Sequence, residues 1–171
     1  MGGMIKTQTP YPTPEPILHR ICHEAWEFTS TERSFLAVFD LDSTLFDLTL
    51  RTAAIIDDFA QRPSSRARFP EECAGLSRVE IRSTDWGLEE PLARAGLPSQ
   101  GPFFEAVKSH WVQQFFANDF LHYDKPLPGA VEFVNELHQL GAHIMYLTGR
   151  DVPRMWKGTA ASLRNVGFPM D

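Results

Sequence analysis

The sequence predicts an α/β fold in which a parallel sheet is interrupted by a long helical insertion. Residues 35–39 (FLAVF) and 143–147 (HIMYL) are short apolar runs without alternation, a pattern typical of buried parallel strands. A helical face from Phe133 to Leu140 precedes the second run, and Gly141 ends it. Helix, glycine stop and strand together form the second half of a β-α-β unit. The chain between the two runs is too long for a simple crossover, which indicates an insertion.

The elements expected along the chain divide it into three parts. Residues 1–16 are rich in proline and predict an extended leader, and a helix is expected from Ile17. Proline and serine at 63–65 and the segment 98–101 predict loops. The helices expected in the insertion cover residues 49–61, 71–82 and 102–123. The predicted parts are a leader and helix (1–33), an α/β core (34–47 and 126–171) and an all-helical cap (48–125).

Composition excludes several classes of protein. Of the 171 residues, 43% are hydrophobic, enough to build a core, and the formal charge of -6 gives no general reason to bind nucleic acid or an anionic membrane. Charged residues interrupt the apolar runs, and the N-terminus has no apolar stretch typical of a secretory signal. Cys22 and Cys73 lie far apart, which indicates no disulfide framework. A cytoplasmic protein is therefore expected; its oligomeric state cannot be read from the sequence.

The segment VFDLDSTLFD, residues 38–47, carries the strongest chemical signal. Asp40 leaves a buried run at the carboxyl edge of the predicted sheet, where ligands bind in open α/β folds. Asp42 follows two residues later, and two such close carboxylates repel each other unless a cation lies between them or their pKa values separate. One can then act as a nucleophile and the other can carry a proton. Thr44 is placed to hydrogen-bond within the turn.

A second signal, LTGR, follows the second apolar run. The Thr148 hydroxyl can donate to a phosphoryl oxygen, and Gly149 lets backbone N–H groups approach the same anion. Arg150 has two interpretations, as a helper in anion binding or as a cap of the following turn. By itself this string more often marks a plain strand-to-helix turn, and its position after the first signal gives it weight.

The DxDxT motif after an apolar strand, followed by a cap-sized insertion and LTGR, resembles motifs I and II of the haloacid dehalogenase superfamily. The resemblance implies a Rossmann-like core with a type 1 helical cap inserted after the first strand. It implies a phosphatase-type hydrolase of small phosphorylated substrates, with Asp40 as nucleophile, Asp42 as general acid/base, and phosphate bound by Thr148 and Gly149. It also implies Mg²⁺, held by the Asp40 side chain, the Asp42 backbone carbonyl and a later acidic residue.

The family's third and fourth motifs are not recognisable after Thr148. Lys157 lies too early for the family lysine, Asp151 is better placed to begin a helix, and Asp171 is the last residue. The sheet is accordingly expected to be incomplete, and the chain to be the N-terminal part of a longer protein; alternatively, another chain supplies the missing strands. The alternative function is a truncated or degenerate domain that binds a ligand or partner without catalysis.

Other activities and further site residues stay open. A phosphomutase, a phosphonate hydrolase and a phosphoprotein phosphatase share parts of the pattern, although the large insertion counts against the last. Within the insertion, Arg51, Arg82, Trp86 and Lys108 could face the substrate. For each of them a solvated charge or a packed aromatic ring is the favoured interpretation.

Overall fold

The computed structural model describes residues 14–170, and these form the predicted α/β fold. Strand β1 (Leu36–Phe39) pairs in parallel with β4 (His143–Tyr146), with Phe39 opposite Tyr146. A short antiparallel pair joins β2 (Phe46–Asp47) to β3 (Lys125–Pro126), at the two points where the chain enters and leaves the insertion. The β2–β3 pair thus brings the two ends of the insertion together.

Eight helices surround these strands in the described part of the chain. They are α1 (Pro14–Thr29), α2 (Thr49–Gln61), α3 (Pro63–Arg68), α4 (Pro70–Gly75), α5 (Glu89–Arg94), α6 (Gly101–Phe115), α7 (Ala130–Gln139) and α8 (Val152–Val166). No helix among residues 14–170 is both long enough and apolar enough to span a membrane.

The helices of the insertion differ from the prediction at several points. Helix α2 has the predicted bounds, but a helix (α3) begins at Pro63 where a loop was expected, because proline fits the first helical position. The prediction of one helix over 71–82 is wrong after Gly75. A 3-10 turn follows at Leu76–Arg78, and the backbone is extended at Val79. The helix predicted over 102–123 ends at Phe115, and α5 was not predicted.

The N-terminal prediction is tested only in part. Residues 1–13 of the expected leader lie outside the described residues, and α1 begins at Pro14 rather than Ile17. Downstream, Gly141 takes φ 88° after α7, as its predicted role as a helix stop requires. Asp151 begins α8, where its side chain accepts from the N–H of Arg154 at 2.8 Å.

Buried apolar side chains form three clusters. One lies wholly within the insertion and includes Phe59, Phe103 and Val107. The other two lie beneath the sheet and bury one face of β1 and β4 against α1, α7 and α8. The opposite face is exposed, so the prediction that the strands are buried holds for one face only. The exposed apolar side chains of that face are Leu36, Val38, Met145 and Leu147.

Candidate active site

The carboxyl ends of β1 and β4 lie side by side. The N–H of Leu147 donates to the carbonyl of Phe39 at 2.8 Å, which continues the parallel pairing one residue beyond β4. Asp40 therefore leaves the sheet next to Thr148. The structure brings the two sequence signals to one edge of the sheet.

A tight turn after Asp40 positions the DxDxT residues. The carbonyl of Leu41 accepts from the N–H groups of Thr44, Leu45 and Phe46 at 2.9–3.3 Å, and the N–H of Ser43 donates to the carbonyl of Phe46. Leu41 and Phe46 are fully buried and anchor the turn in the core. The hydroxyl of Thr44 donates to Oδ2 of Asp40 at 3.2 Å, and Asp40 as a whole is exposed.

Asp42 is held by two buried arginines. Its Oδ1 accepts from Nε of Arg150 at 3.0 Å and from Nη2 of Arg51 at 3.1 Å, and Nη2 of Arg150 also contacts it. Both arginine side chains are almost completely buried, whereas that of Asp42 is 27% exposed. One oxygen of Asp42 is thus fixed, and its Oδ2 has no hydrogen-bond partner in the described part of the chain.

Asp124 completes a cluster of two carboxylates and two guanidinium groups. Its Oδ2 accepts from Nη2 of Arg150 at 2.8 Å, and its Oδ1 lies 3.1 Å from Nε of Arg51 as an ion pair without hydrogen-bond geometry. The Arg51 guanidinium also lies 4.1 Å from the ring centroid of Phe115. We call Asp42, Arg51, Asp124 and Arg150 the charge cluster.

Burial dominates the electrostatics of this cluster. Desolvation raises the pKa of Asp124 from 3.8 to about 6, although the positive charges of Arg51 and Arg150 oppose the shift. Desolvation also lowers the pKa of Arg51, and the two carboxylates oppose that change. The cluster joins the start of the insertion, its end and the loop after β4, so it connects the insertion to the site.

The loop after β4 presents the second set of predicted residues. The hydroxyl oxygen of Thr148 accepts from the N–H of Arg150 at 3.2 Å, which leaves the Thr148 O–H free to donate elsewhere. Gly149 is exposed, and a Cβ placed there would meet nothing within 4 Å. An anion could therefore approach the backbone at Gly149 without obstruction.

The expected metal ligands are represented in part. The exposed Asp40 carboxylate is a hard oxygen donor. The hydrogen bonds within the turn are accepted by the carbonyls of Leu41 and Phe46, so they do not occupy the carbonyl of Asp42. Both donors fit Mg²⁺. Among residues 14–170 no group of three His, Cys, Asp or Glu side chains could hold a metal ion. Asp124 and Asp151 are each paired with arginine.

Two members of the charge cluster differ from what the sequence indicated. Arg51 was interpreted as a solvated charge, which is wrong because its side chain is 0% exposed. Asp124 was not singled out, and no local pattern marks it. Lys108 does carry the expected solvated charge and pairs with Glu89 at 3.0 Å. Arg82 and Trp86 line a cavity beside the site.

Comparison with known proteins identifies the family. A family model described as a haloacid dehalogenase-like hydrolase matches residues 36–166. The matched segment begins in β1, ends with α8 and contains every residue of the charge cluster. A search of curated proteins found no match.

Proposed function

The chain belongs to the haloacid dehalogenase-like hydrolase family, and from that premise we propose that it hydrolyses small-molecule phosphate monoesters through an aspartyl-phosphate on Asp40. One observation carries the proposal: Asp40 lies exposed at the end of β1, beside Thr148, while the adjacent Asp42 is fixed by Arg51 and Arg150. This arrangement offers a free carboxylate to the substrate and a second, oriented carboxyl group for proton transfer.

In the first step, an oxygen of Asp40 attacks phosphorus and the bond from phosphorus to the leaving oxygen breaks. Oδ2 of Asp42 gives its proton to that oxygen, while Oδ1 stays bound to the two arginines. In the second step, Asp42 takes a proton from water, the water oxygen attacks phosphorus, and the Asp40 carboxylate is restored. These roles are the ones that the family resemblance implies for Asp42, and the absence of a hydrogen-bond partner for its Oδ2 among residues 14–170 supports them.

Thr148 and Gly149 hold the phosphoryl group in this scheme. The Thr148 O–H has no acceptor among residues 14–170 and donates to one phosphoryl oxygen, and the open backbone at Gly149 allows an N–H to reach another. Mg²⁺, bound by the Asp40 carboxylate and the Asp42 carbonyl, would neutralise charge on the phosphoryl oxygens.

The helical insertion acts as a cap over this site in our proposal. Support comes from its separate apolar cluster, which gives the insertion a core of its own, and from the β2–β3 pair at its base. Arg51, at its start, contacts Asp42 in the turn after Asp40, which we call the catalytic turn. Asp124, at its end, contacts Arg51 and also Arg150 in the loop after β4. The cap is thereby tied to Asp42 directly through Arg51, and indirectly through Asp124 and Arg150.

The test is turnover of p-nitrophenyl phosphate with magnesium by Asp40→Asn. We expect turnover to be lost, whereas Asp57→Asn, which changes an exposed carboxylate on α2, should keep it. Asp42→Asn should still form the covalent intermediate, because p-nitrophenolate leaves without protonation, but should hydrolyse it slowly. Intact-mass measurement after acid quench should then show one added phosphoryl group. Undiminished turnover by Asp40→Asn refutes the mechanism, and phosphate binding without turnover in the wild type favours the non-catalytic alternative.

A further inference from the structure

A cavity of about 300 Å³ lies between the catalytic turn and the insertion. Its walls include Ser43 and Phe46 of the turn and Trp86, Trp111 and Phe115 of the insertion. This volume is at the small end of the range typical of small-molecule sites, and the mainly apolar lining is typical of them as well.

Two residues of the cavity lining connect it to the proposed acid/base residue, although Asp42 is not itself part of the lining. Ser43 directly follows Asp42 in the chain. Phe115 forms part of the wall, and its ring centroid lies 4.1 Å from the Arg51 guanidinium. That guanidinium donates a hydrogen bond to Asp42. A group placed in the cavity would therefore lie beside the turn that carries Asp42, on the side that faces the insertion.

Trp86 offers an unused aromatic surface at this cavity. Its side chain is 99% exposed, and no other ring contacts it in the described part of the chain. A tryptophan left in water in this way forgoes a large hydrophobic stabilisation, which a planar ligand would restore by stacking.

The loop that carries Trp86 is held in place by ion pairing. The neighbouring Asp85 accepts from both Nη1 and Nη2 of Arg94, at 2.8 and 2.7 Å, and from the N–H of Arg82 at 2.8 Å. The Arg94 hydrogen bonds also lower the pKa of Asp85, so the pair stays charged. Trp86 is thus presented from a braced loop, which reduces the entropy lost when a ligand binds.

One hydrogen-bond donor in the lining has only a distant protein partner. The guanidinium of Arg82 lies 3.6 Å from the carboxylate of Glu80, and both side chains are more than half exposed. This donor favours a ligand that carries a hydrogen-bond acceptor.

We propose that this cavity binds the leaving group of the substrate, and that this group is a planar aromatic ring bearing hydrogen-bond acceptors. The inference rests on the proposed function, because a leaving group presupposes hydrolysis. The ring stacks on Trp86, and its acceptors meet Arg82. Aryl phosphates and nucleoside monophosphates share this chemistry.

Binding is tested without turnover, using phenylphosphonate and cyclohexylphosphonate, whose P–C bonds are not hydrolysed. Isothermal titration calorimetry should show that the aromatic compound binds about tenfold more tightly, and Trp86→Ala should remove the difference. Trp26→Ala is the matched control, because it removes another exposed tryptophan from α1, outside the cavity lining. Equal affinity for the two compounds, or an unchanged preference in Trp86→Ala, overturns the proposal.

Kinetics then distinguishes the two sources and separates the two proposals. Phenyl phosphate and adenosine 5′-monophosphate should each exceed glycerol phosphate in kcat/KM, and the better of the two identifies the source of the ring. Turnover without an aromatic preference overturns the cavity assignment and leaves the hydrolase standing. A Trp86-dependent preference for the aromatic phosphonate without turnover of any ester overturns the hydrolase and keeps the cavity as an aromatic-ligand site.

Discussion

Replacing Arg51 by methionine removes a guanidinium that is completely shielded from water. Its side chain is 0% exposed and lies 3.1 Å from Asp42 and 3.1 Å from Asp124. Methionine keeps an unbranched apolar chain over the ring of Phe115, so the main change is the loss of charge and hydrogen bonding. Removing one partner of a buried ion pair costs about 3–5 kcal/mol, because the remaining charge is left without compensation.

Thermal unfolding followed by circular dichroism measures this cost. In a chain of this size 1 kcal/mol lowers the Tm by about 2–4 °C, so Arg51→Met should lower it by roughly 6–20 °C. Arg62→Met is the matched control: Arg62 lies just after the same helix and pairs with Asp58 at 3.0 Å, but it is 49% exposed. Its loss should cost no more than about 1 kcal/mol.

A double variant separates charge from packing. Arg51→Met with Asp124→Asn removes both charges of the ion pair, so it should recover part of the stability lost in Arg51→Met alone. A Tm for Arg51→Met within the range of the Arg62→Met control would refute the reasoning. The same conclusion would follow if the second substitution only added to the loss.

Two further predictions concern stability elsewhere in the molecule. Burial raises the pKa of Asp124 from 3.8 to about 6, so the folded state binds its proton more tightly than the unfolded state. The resulting stabilisation, about 3 kcal/mol, is fully present below about pH 4 and is lost as the pH rises through 6. Asp124→Asn should remove that fall in urea unfolding between these pH values, and an unchanged fall would contradict the assignment. Gly158→Ala places a Cβ 2.7 Å from Cδ1 and 3.1 Å from Cβ of Leu121. This overlap should cost about 1–3 kcal/mol of stability, whereas the higher helix propensity of alanine should contribute roughly 1 kcal/mol. A lower urea midpoint is therefore expected, and a higher one would show that Leu121 moves aside freely.

The central strands and the edge where they end could be predicted because their signals are local. An apolar run without alternation is a property of a few consecutive residues, and it located β1 and β4. Parallel strands present their carboxyl ends at one edge, which placed Asp40 beside Thr148. Helix α2 was predicted with its observed bounds, whereas the helices over 71–82 and 102–123 were extended too far, because no local signal marks the turns that interrupt them.

The charge cluster had no comparable signal. Arg51 and Asp124 lie at opposite ends of the insertion, and Arg150 lies beyond α7, so no spacing in the chain relates them to Asp42. An arginine on a helix is ordinarily a solvated charge, and its burial depends on partners that arrive from distant segments.

The amino-acid sequence by itself determined the α/β class, the turn that carries Asp40 and Asp42, and the family to which the chain belongs, because each depends on short-range patterns of apolar and polar residues. The tertiary structure decided how Asp42 is held and where the cavity lies. Both depend on side chains that are distant along the chain and that folding brings together. Ion pairing and burial depend on distance in space rather than on separation along the chain.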